Sequence, residues 1–553
     1  MILPIFKLNK SALLIFGIAL IFSIGACKKD DPVAPVVTTP PVAGNRAELT
    51  KDSIFLYAKQ VYFWNDALPT YEVFKPRNYT ALGSDLDNYD AELFAITQFK
   101  INPSTGKAYE YNSSNPNNPK YSYITDITTA NSAQSYVAKK TADLELDGTG
   151  YDLGFYWFKA FGSENNFSFY VSGVFPNSPA AKAGITRGAI INKVNGKSIG
   201  ANYTNENALV YNLVLNDPAT VTISGLKSDG TPFNDVVLTK VKYTASPIFA
   251  TKTFTAGSKK IGYLALAQFS HLNNNAKTYL DAAFAKFVTD GVTDLIVDLR
   301  YNGGGYVNTA EYLINLIAPA SATGTMFKEY YNATMQANKA TILSNQLLLD
   351  DNDKVQDQDR DGKSDTYADL DFSVAGNTTS FSKKGNLANV ANVVFLVSGG
   401  TASSSELVIN SLKPHVNVKI VGKQTYGKPV GFFPIRLENK YDLYLAMFES
   451  KNSRDEGGYF AGITPDVIDV NTATVGNSTL FDDATHNFGD PAESYTKSAL
   501  GLLAPATAVT SSNAVMSIRG KKVAVAASLG MLRETKGKTR FVGMLENRYK
   551  LKK

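Results

Sequence analysis

The chain has 553 residues, of which 44% are hydrophobic and 19% are charged, and its formal net charge is +5. This length exceeds what one hydrophobic core usually serves, so we expect three or four domains of about 150 residues each. The composition is that of a globular protein. Much of the small charge excess lies between Arg519 and Lys553 and forms no long basic stripe, so we expect no nucleic-acid partner.

The N-terminus has the order of a secretory signal. Lys7 and Lys10 precede an apolar run over 12–24, which is too short for a comfortable membrane span. The run ends in Ile-Gly-Ala-Cys, and Cys27 is the only cysteine, so no intrachain disulfide can form. This arrangement resembles a bacterial lipobox, and the alternative is a free or buried thiol. We therefore expect residues 1–27 to be a lipoprotein signal with lipid on Cys27. The protein would then be anchored in the bacterial cell envelope, at the outer membrane, on its periplasmic or surface side.

The next two segments differ in composition. Residues 28–45 are rich in Pro, Val, Thr and Ala, which is typical of an extended tether. Residues 46–147 are predicted to form a helical domain. Ser53 is a candidate cap for a first helix, and a second helix is expected from Asp90 through Phe99.

Residues 148–243 are predicted to form a small β domain. Residues 167–174 alternate like a strand, Ser178–Gly184 predicts a short helix with a glycine stop, and Ala189–Gly196 predicts a strand ending in an Asn-Gly turn. This phrase resembles that of a PDZ domain, which adds an extended peptide to a strand edge. The loop expected to hold a peptide carboxylate on its backbone N–H groups consists of Leu153, Gly154, Phe155 and Tyr156. A small β domain that binds nothing is the alternative.

From 244 to 502 apolar strands alternate with helical stretches, which predicts an α/β domain. Three motifs in it bear on chemistry. Asp298–Gly305 puts three glycines after a strand, but it lacks the Lys-Ser/Thr ending of a nucleotide-binding loop. Gly399–Glu406 puts serines at a strand-to-helix turn, where a nucleophile would be exposed and where an ordinary helix cap is the alternative. Val421–Gly431 contains Lys428 in weakly polar surroundings, and such a lysine acts as a base only when burial lowers its pKa.

In this order and spacing the three motifs resemble those of the S41 family of C-terminal processing (tail-specific) peptidases. The family phrases are D-L-R-x-N-x-G-G, T-A-S-x-S-E and T-[YF]-G-K, and they align with residues 298–305, 401–406 and 425–428. The resemblance covers about Tyr151 to Leu502 and implies a ClpP/crotonase-like α/β catalytic domain behind a PDZ domain. It also implies that Ser403 is the nucleophile and Lys428 its general base, with no cofactor for catalysis. The oxyanion donors would be the N–H groups of Ser404 and of Gly304 or Gly305.

One position departs from the family pattern. Many members carry a glutamine four residues after the lysine, where it orients the base, and here that residue is Phe432. Three alternatives follow: another polar group orients Lys428, the site is a simple dyad, or activity is reduced. Histidine is the usual alternative base, and His271 is the best placed of the three in the chain.

An acidic insertion spans 350–371. Within it Asp357, Asp359, Asp361 and Asp365 have the spacing of a calcium loop, with Gly362 at the sharp turn. The twelfth position is alanine rather than the glutamate of an EF-hand. The loop therefore predicts a structural calcium site of a shorter kind, and a solvated acidic loop is the alternative.

Three functions remain open from the sequence. The first is an envelope serine endopeptidase that cuts protein or peptide substrates near free C-termini through an acyl-enzyme. The second is a catalytically weak lipoprotein that captures peptides in the PDZ-like groove, and the third is a polysaccharide-binding lipoprotein. Residues 503–553 are expected to form a basic C-terminal tail.

Overall fold

The computed structural model describes residues 43–128, 146–350, 354–469, 480–505, 509–511 and 543–552. These residues belong to one unit that begins at Ala43. The predicted signal, the lipid site Cys27 and most of the tether lie outside the described residues, as does most of the basic tail. In the part of the chain that is described, no helix is both long and apolar enough to cross a membrane.

In the described part of the N-terminal region lie the α-helices α1 (Arg46–Val61), α2 (Tyr71–Phe74) and α3 (Asp85–Thr97), followed by strand β1 (Tyr123–Asp126). Helix α1 begins with a reciprocal cap, because the Asn45 side chain accepts the Glu48 N–H while the Glu48 carboxylate accepts the Asn45 N–H. The prediction that Ser53 caps this helix was wrong. Ser53 lies inside α1, and its hydroxyl donates to the Leu49 carbonyl at 2.9 Å.

The following region forms the predicted β-rich domain. Its elements are β2 (Thr149–Asp152), β3 (Phe155–Ser163), β4 (Asn166–Val174), α4 (Pro179–Lys182), β5 (Ile190–Val194), β6 (Lys197–Ser198), α5 (Tyr203–Leu215), β7 (Thr220–Leu226), β8 (Pro232–Thr239) and β9 (Val241–Thr244). The sheet runs β3-β4-β5-β7-β8 with β6 beside β5, so β3 is an edge strand. Helix α5 packs against β3, where Trp157 and Tyr211 stack with ring centroids 5.2 Å apart. Strands β2 and β9 pair antiparallel, which brings the two ends of the region together.

The remaining elements build the predicted α/β part. They are β10 (Ile248–Ala256), β11 (Lys259–Leu266), α6 (Lys277–Thr289), β12 (Asp294–Asp298), β13 (Gly304–Tyr306), α7 (Val307–Ile317), β14 (Thr325–Tyr331), α8 (Ala333–Gln336), β15 (Thr378–Ser380), β16 (Asn392–Val397), α9 (Ser404–Leu412), β17 (Asn417–Gly422), β18 (Val430–Gly431), β19 (Ile435–Leu437), β20 (Tyr441–Tyr444), β21 (Phe448–Asn452), β22 (Val467–Ile468), α10 (Ser494–Leu503), β23 (Val509–Ser511) and β24 (Gly543–Leu545).

A seven-stranded sheet of order β22-β17-β16-β12-β11-β10-β23 is the centre of this part. Strands β11, β12, β16, β17 and β22 are parallel, and β10 and β23 add an antiparallel edge. The glycine-rich loop follows β12 and the serine turn follows β16, its neighbour in the sheet. Because both strands are parallel, both loops leave the same edge, which is where α/β proteins usually place a site.

Three smaller sheets join distant parts of the chain, with orders β1-β20-β19, β15-β14-β21-β18 and β13-β24. Strand β1 of the N-terminal region pairs with β20, and Ile54 of α1 lies in the same hydrophobic cluster as Leu295 of β12. The predicted helical domain thus shares a core with the α/β part and does not close one of its own. The predicted tail is also corrected, since Gly543–Leu545 forms β24 and pairs with the glycine-rich loop.

Candidate active site

The predicted nucleophile Ser403 is the residue just before α9. Its φ of +60° lies in the left-handed region, which a non-glycine residue adopts at a cost of about 1–3 kcal/mol. Such strain recurs where a strand turns sharply into a helix to present a nucleophile. Ser403 is fully buried, and its Oγ has no hydrogen-bond partner among the described residues. The side chain is therefore held in a strained turn without a polar contact of its own.

A buried carboxylate connects the serine turn to the lysine loop. Oε2 of Glu406 accepts the backbone N–H of Ser403 and that of Lys428, both at 2.8 Å. Its Oε1 accepts the N–H of Gly427, also at 2.8 Å, and the hydroxyl of Thr425. The two predicted catalytic residues thus share one acceptor atom, so their backbone nitrogens lie within twice a hydrogen-bond length. Sequence reasoning missed this role, although Ser-x-x-Glu is a known helix-cap spacing.

The environment of Glu406 is unusual for a carboxyl group. Burial raises its pKa, while hydrogen bonds from Thr425 and from the backbone of Lys428, Ser403 and Gly427 oppose that rise. A carboxylate that accepts several N–H groups stabilises the loops that supply them. Glu406 therefore connects the serine turn to the lysine loop and fixes their relative position.

The predicted base Lys428 is also fully buried. Its Nζ donates to the carbonyl of Tyr121 at 3.1 Å and lies 4.3 Å from the centroid of the Phe432 ring. Burial lowers the pKa of Lys428 to about 7, although Glu110 and Glu406 raise it, and Lys120 lowers it further. A lysine with such a pKa is substantially neutral near pH 7, which is the condition for it to accept a proton.

The question raised by Phe432 has a structural answer. The position that many relatives fill with glutamine here provides an aromatic face toward the ammonium group, and cation–π contacts of this kind favour a fixed position. One polar contact of Lys428 comes from the carbonyl of Tyr121, 307 positions away in the N-terminal region. The N–H groups of Tyr121 and Ser122 in turn donate to the buried carboxylate of Glu110. No sequence pattern marked Glu110 or Tyr121.

The glycine-rich loop only partly matches its predicted role. The N–H of Gly304 donates to Oδ1 of Asn302 at 2.9 Å, so the prediction that it is an oxyanion donor is corrected for this arrangement. The carbonyl of Gly305 accepts the hydroxyl of Ser404, which ties the loop to α9. Ser404 is the first residue of α9, and the N–H of a first helical residue has no acceptor within its helix. Ser404 and Gly305 stay predictions as oxyanion donors.

Beneath this loop lies a buried ion network. Arg300 pairs with Asp298 at 2.9 Å, with Asp482 at 3.0 Å and with Glu493 at 2.7 Å. Burial alone would raise the pKa of Asp482, but Lys159, Arg187 and Arg300 hold it well below its usual range. The network fixes the loop that follows β12.

The β-rich domain contacts the same loop directly. Tyr156 donates its hydroxyl to the Tyr301 carbonyl at 3.0 Å, and the two rings lie 4.7 Å apart. Arg187 donates to the Tyr301 hydroxyl at 2.6 Å and pairs with Asp482 at 2.8 Å. Tyr301 lies in the glycine-rich loop motif, so a shift of the β-rich domain would change the position of this loop in the site.

Tyr156 was predicted as part of a carboxylate-binding loop, and the rest of that loop is well defined. The carbonyl of Leu153 accepts the Ala180 N–H at 3.0 Å, and that of Gly154 accepts the Phe175 N–H at 2.9 Å. Gly154 has a φ of +93°, and a Cβ there would lie 1.9 Å from Oγ of Ser178. Only glycine fits, so this loop is shaped against the start of α4. Phe155 is buried and begins β3.

The alternative base His271 has a structural contact instead. It precedes a π-helical turn over 272–276, and its Nδ1 accepts the N–H of Asn274 at 3.2 Å. Its ring lies edge-on to Tyr306 at 5.4 Å. These contacts are those of a helix cap.

The acidic insertion brings three of its four predicted ligands together. Asp357, Asp359 and Asp361 are exposed, and one carboxylate oxygen from each lies within 4.8 Å of the others. Asp365 is buried instead, and its carboxylate accepts the Gln358 N–H at 2.6 Å, so it does not join that group. The prediction of four converging carboxylates is thus corrected to three.

The fold and this site define an α/β protein with a serine at a strand-to-helix turn and a buried lysine tied to it. Residues 260–469 match the family model of peptidase family S41.

Curated C-terminal processing peptidases are similar to this chain in sequence. A carboxy-terminal-processing protease of Bartonella bacilliformis is 28% identical over 313 residues, which are 55% of this chain and 59% of that protein. A chloroplastic C-terminal processing peptidase of Tetradesmus obliquus is 27% identical over 264 residues, 46% of each chain. The chain thus spans about half of the length of these curated relatives.

A solved structure described as an S41 protease from Bacteroides fragilis is similar in fold. It matches with a TM-score of 0.54 and 20% sequence identity, and the match covers 84% of this chain and 99% of that one. The S41 peptidase fold, with mixed helix and sheet, is therefore the fold of this chain.

Proposed function

We propose that this protein is a serine endopeptidase that cleaves protein or peptide substrates through an acyl-enzyme on Ser403, with Lys428 as general base. The observation that carries the proposal is the buried Lys428, with its pKa near 7, on a loop tied through Glu406 to the strained Ser403 turn. Acyl transfer requires a nucleophile and a neutral base close to it. Here one carboxylate holds the two loops that carry these residues. The decisive test is Ser403→Ala, which should lose both peptidase activity and covalent labelling.

The reaction would run in two halves. Lys428 Nζ takes the proton from Ser403 Oγ while that oxygen bonds to the scissile carbonyl carbon, and the resulting ammonium returns the proton to the leaving amine. Water, deprotonated by Lys428, then attacks the ester, and Ser403 recovers its proton. The N–H of Ser404 at the start of α9 would stabilise the oxyanion, with Gly305 as the second donor, each worth roughly 3 kcal/mol in the barrier.

The pH dependence should follow the base. Because Lys428 must be neutral to accept a proton, the rate of Ser403 labelling by a fluorophosphonate should rise about tenfold per pH unit below about 7 and level off above it. Residual labelling of Lys428→Ala, measured over the same pH range, separates this effect from reaction with hydroxide. A midpoint near the ordinary lysine pKa would contradict a base of this kind.

We also propose that substrates are selected by a free C-terminus at the PDZ-like domain. The edge strand β3, the neighbouring α5 and the tight turn at Gly154 are the parts by which an extended peptide adds to a sheet and its carboxylate meets backbone N–H groups. Peptide binding at this domain would affect the loop that contains Tyr301, because Tyr156 is hydrogen-bonded to the Tyr301 carbonyl.

A peptide with a free apolar C-terminus should bind or be cleaved about tenfold better than its amide, because the amide lacks the charge for charge-assisted hydrogen bonds. Gly154→Ala should abolish the difference, since its Cβ would collide with Ser178. Gly196→Ala is the matched control, because its φ is also positive but a Cβ there meets no atom within 4 Å. Equal handling of acid and amide by the intact protein would mean that the Ser403 cleft selects the substrate. Binding without any cleavage would favour a peptide-capturing lipoprotein instead.

A structural calcium ion in the acidic insertion is a further proposal. Calcium takes six to eight oxygen ligands, and Asp357, Asp359 and Asp361 supply three carboxylates within reach of one ion. Excess calcium should then raise the melting temperature relative to chelator, because a ligand of the folded state stabilises it by mass action. Asp359→Asn should reduce the difference. Superimposable melting curves in calcium and in chelator would mean that the acidic insertion is a solvated loop without a bound ion.

The envelope location and the lipid on Cys27 stay predictions. They would place the proposed peptidase where unfolded exported proteins present their ends.

A further inference from the structure

The C-terminal strand β24 lies in the site itself. It pairs in parallel with β13 of the glycine-rich loop, Gly304 opposite Gly543, and the Gly543 N–H donates to the Gly303 carbonyl at 3.2 Å. On its other side the Phe432 N–H donates to the Met544 carbonyl and the Glu546 N–H donates to the Phe432 carbonyl, both at 3.0 Å. The segment is thus an added strand between two walls of a groove.

This strand reaches the predicted nucleophile. A Cβ built on Gly304 would lie 2.2 Å from the Gly543 carbonyl oxygen and 3.0 Å from Cβ of Ser403. The carbonyl of Gly543 and the side chain of Ser403 therefore flank the same point above the glycine-rich loop. Ser403 is fully buried, and its Oγ has no hydrogen-bond partner within the described residues. The proposed nucleophile Ser403 must react with a peptide carbonyl, and the carbonyl of Gly543 in its own chain lies next to it.

Strand β24 is held mainly by backbone hydrogen bonds, which a peptide of a different sequence could also make. Its hydrogen bonds to Gly303 and Phe432 are between backbone groups, and the side chains of Met544 and Leu545 are buried. Recognition of this kind is that of strand addition, in which main-chain hydrogen bonds give affinity and pockets read alternate side chains.

The anchor of the segment lies further along. Arg548 pairs with Glu329 at 2.9 Å and with Glu311 at 3.2 Å, and it donates to Thr379 at 2.7 Å. The strand and its anchor are therefore different residues, so the strand can leave the groove while the anchor keeps it close.

We infer that the groove between Gly303–Tyr306 and Phe432 binds the scissile stretch of an extended peptide, and that Gly543–Leu545 occupies it as an intramolecular pseudosubstrate. A substrate must displace this strand and takes its place parallel to β13. The burial of Met544 and Leu545 predicts a preference for two successive apolar residues on the substrate. This inference rests on the proposed peptidase function.

Labelling of Ser403 by a fluorophosphonate tests the inference in the full-length chain. Met544→Asp should speed labelling by about tenfold or more, because an unpaired carboxylate in the groove destabilises the docked strand. Val73→Asp, which places the same charge at an exposed apolar position, is the matched control and should label at the wild-type rate. Termination after residue 542 should act like Met544→Asp. Unchanged or slower labelling of a Met544→Asp variant that melts like the wild type would overturn the inference.

A second measurement uses the wild-type chain and so does not depend on a variant that folds. After reaction with a peptidyl phosphonate, hydrogen exchange at the amides of Gly543 and Glu546 should rise about tenfold or more, because their bonds to Gly303 and Phe432 are lost. Labelled Ser403 with unchanged exchange at both amides would overturn the groove assignment alone. Failure of every reagent to label Ser403 in any variant would refute the proposed function, and the inference with it.

Discussion

Ser403→Ala and Lys428→Ala should each lower kcat/KM on an unfolded protein such as casein by about a thousandfold or more. The first removes the atom that bonds to the substrate. The second removes the buried amine of Lys428, whose backbone N–H shares the Glu406 carboxylate with that of Ser403. Because both residues act in one step, the double variant should be no slower than the worse single variant. Steady-state kinetics on the three variants measure this directly.

The control for this result is Lys423→Ala, which removes a partly exposed lysine from the same loop. It should retain wild-type activity, and all variants should keep the wild-type melting temperature within a few degrees. Wild-type turnover by a folded Ser403→Ala or Lys428→Ala protein would mean that the assignment of these two residues is wrong.

Arg300→Ala should destabilise the protein by about 3–5 kcal/mol, because it leaves buried carboxylates without their charge partner. Arg300 contacts Asp298, Asp482 and Glu493, and its own side chain is only 1% exposed. The loss should appear as a shift of the denaturant midpoint with little change in slope. Because the same arginine holds the loop after β12, labelling of Ser403 should slow as well.

Arg454→Ala is the matched control for this effect. That arginine is exposed, so its removal should change the free energy of unfolding by less than about 0.5 kcal/mol. A midpoint for Arg300→Ala that coincides with the wild type would show that the buried network contributes little to stability.

The sequence located the serine turn and the lysine loop because each is a local pattern. Ser403 follows an apolar strand and precedes a helical stretch, and Lys428 lies between glycine and proline in the matching loop. Such patterns depend on neighbouring residues in the chain, so they can be recognised without knowledge of the fold. Glu406 was also within reach, since its spacing from Ser403 is that of a reciprocal helix cap.

What the sequence did not predict are contacts between distant segments. Tyr121 orients Lys428 across 307 positions, and the three residues of β24 are too few to predict a strand. Their positions follow from the shared core of the N-terminal region and the α/β part, which no periodicity specifies. The start of α3 was missed for a local reason. Ser84 caps this helix, which begins at Asp85, five residues before the predicted start at Asp90.

Ser403 is proposed to form the acyl-enzyme with the substrate. Peptide mapping by mass spectrometry after brief incubation with an activated ester or a fluorophosphonate tests it most directly. We expect one adduct, on the peptide that contains Ser403, which forms more slowly in Lys428→Ala and is absent from Ser403→Ala. An adduct on another serine, with Ser403 unmodified in the folded wild-type protein, would contradict it.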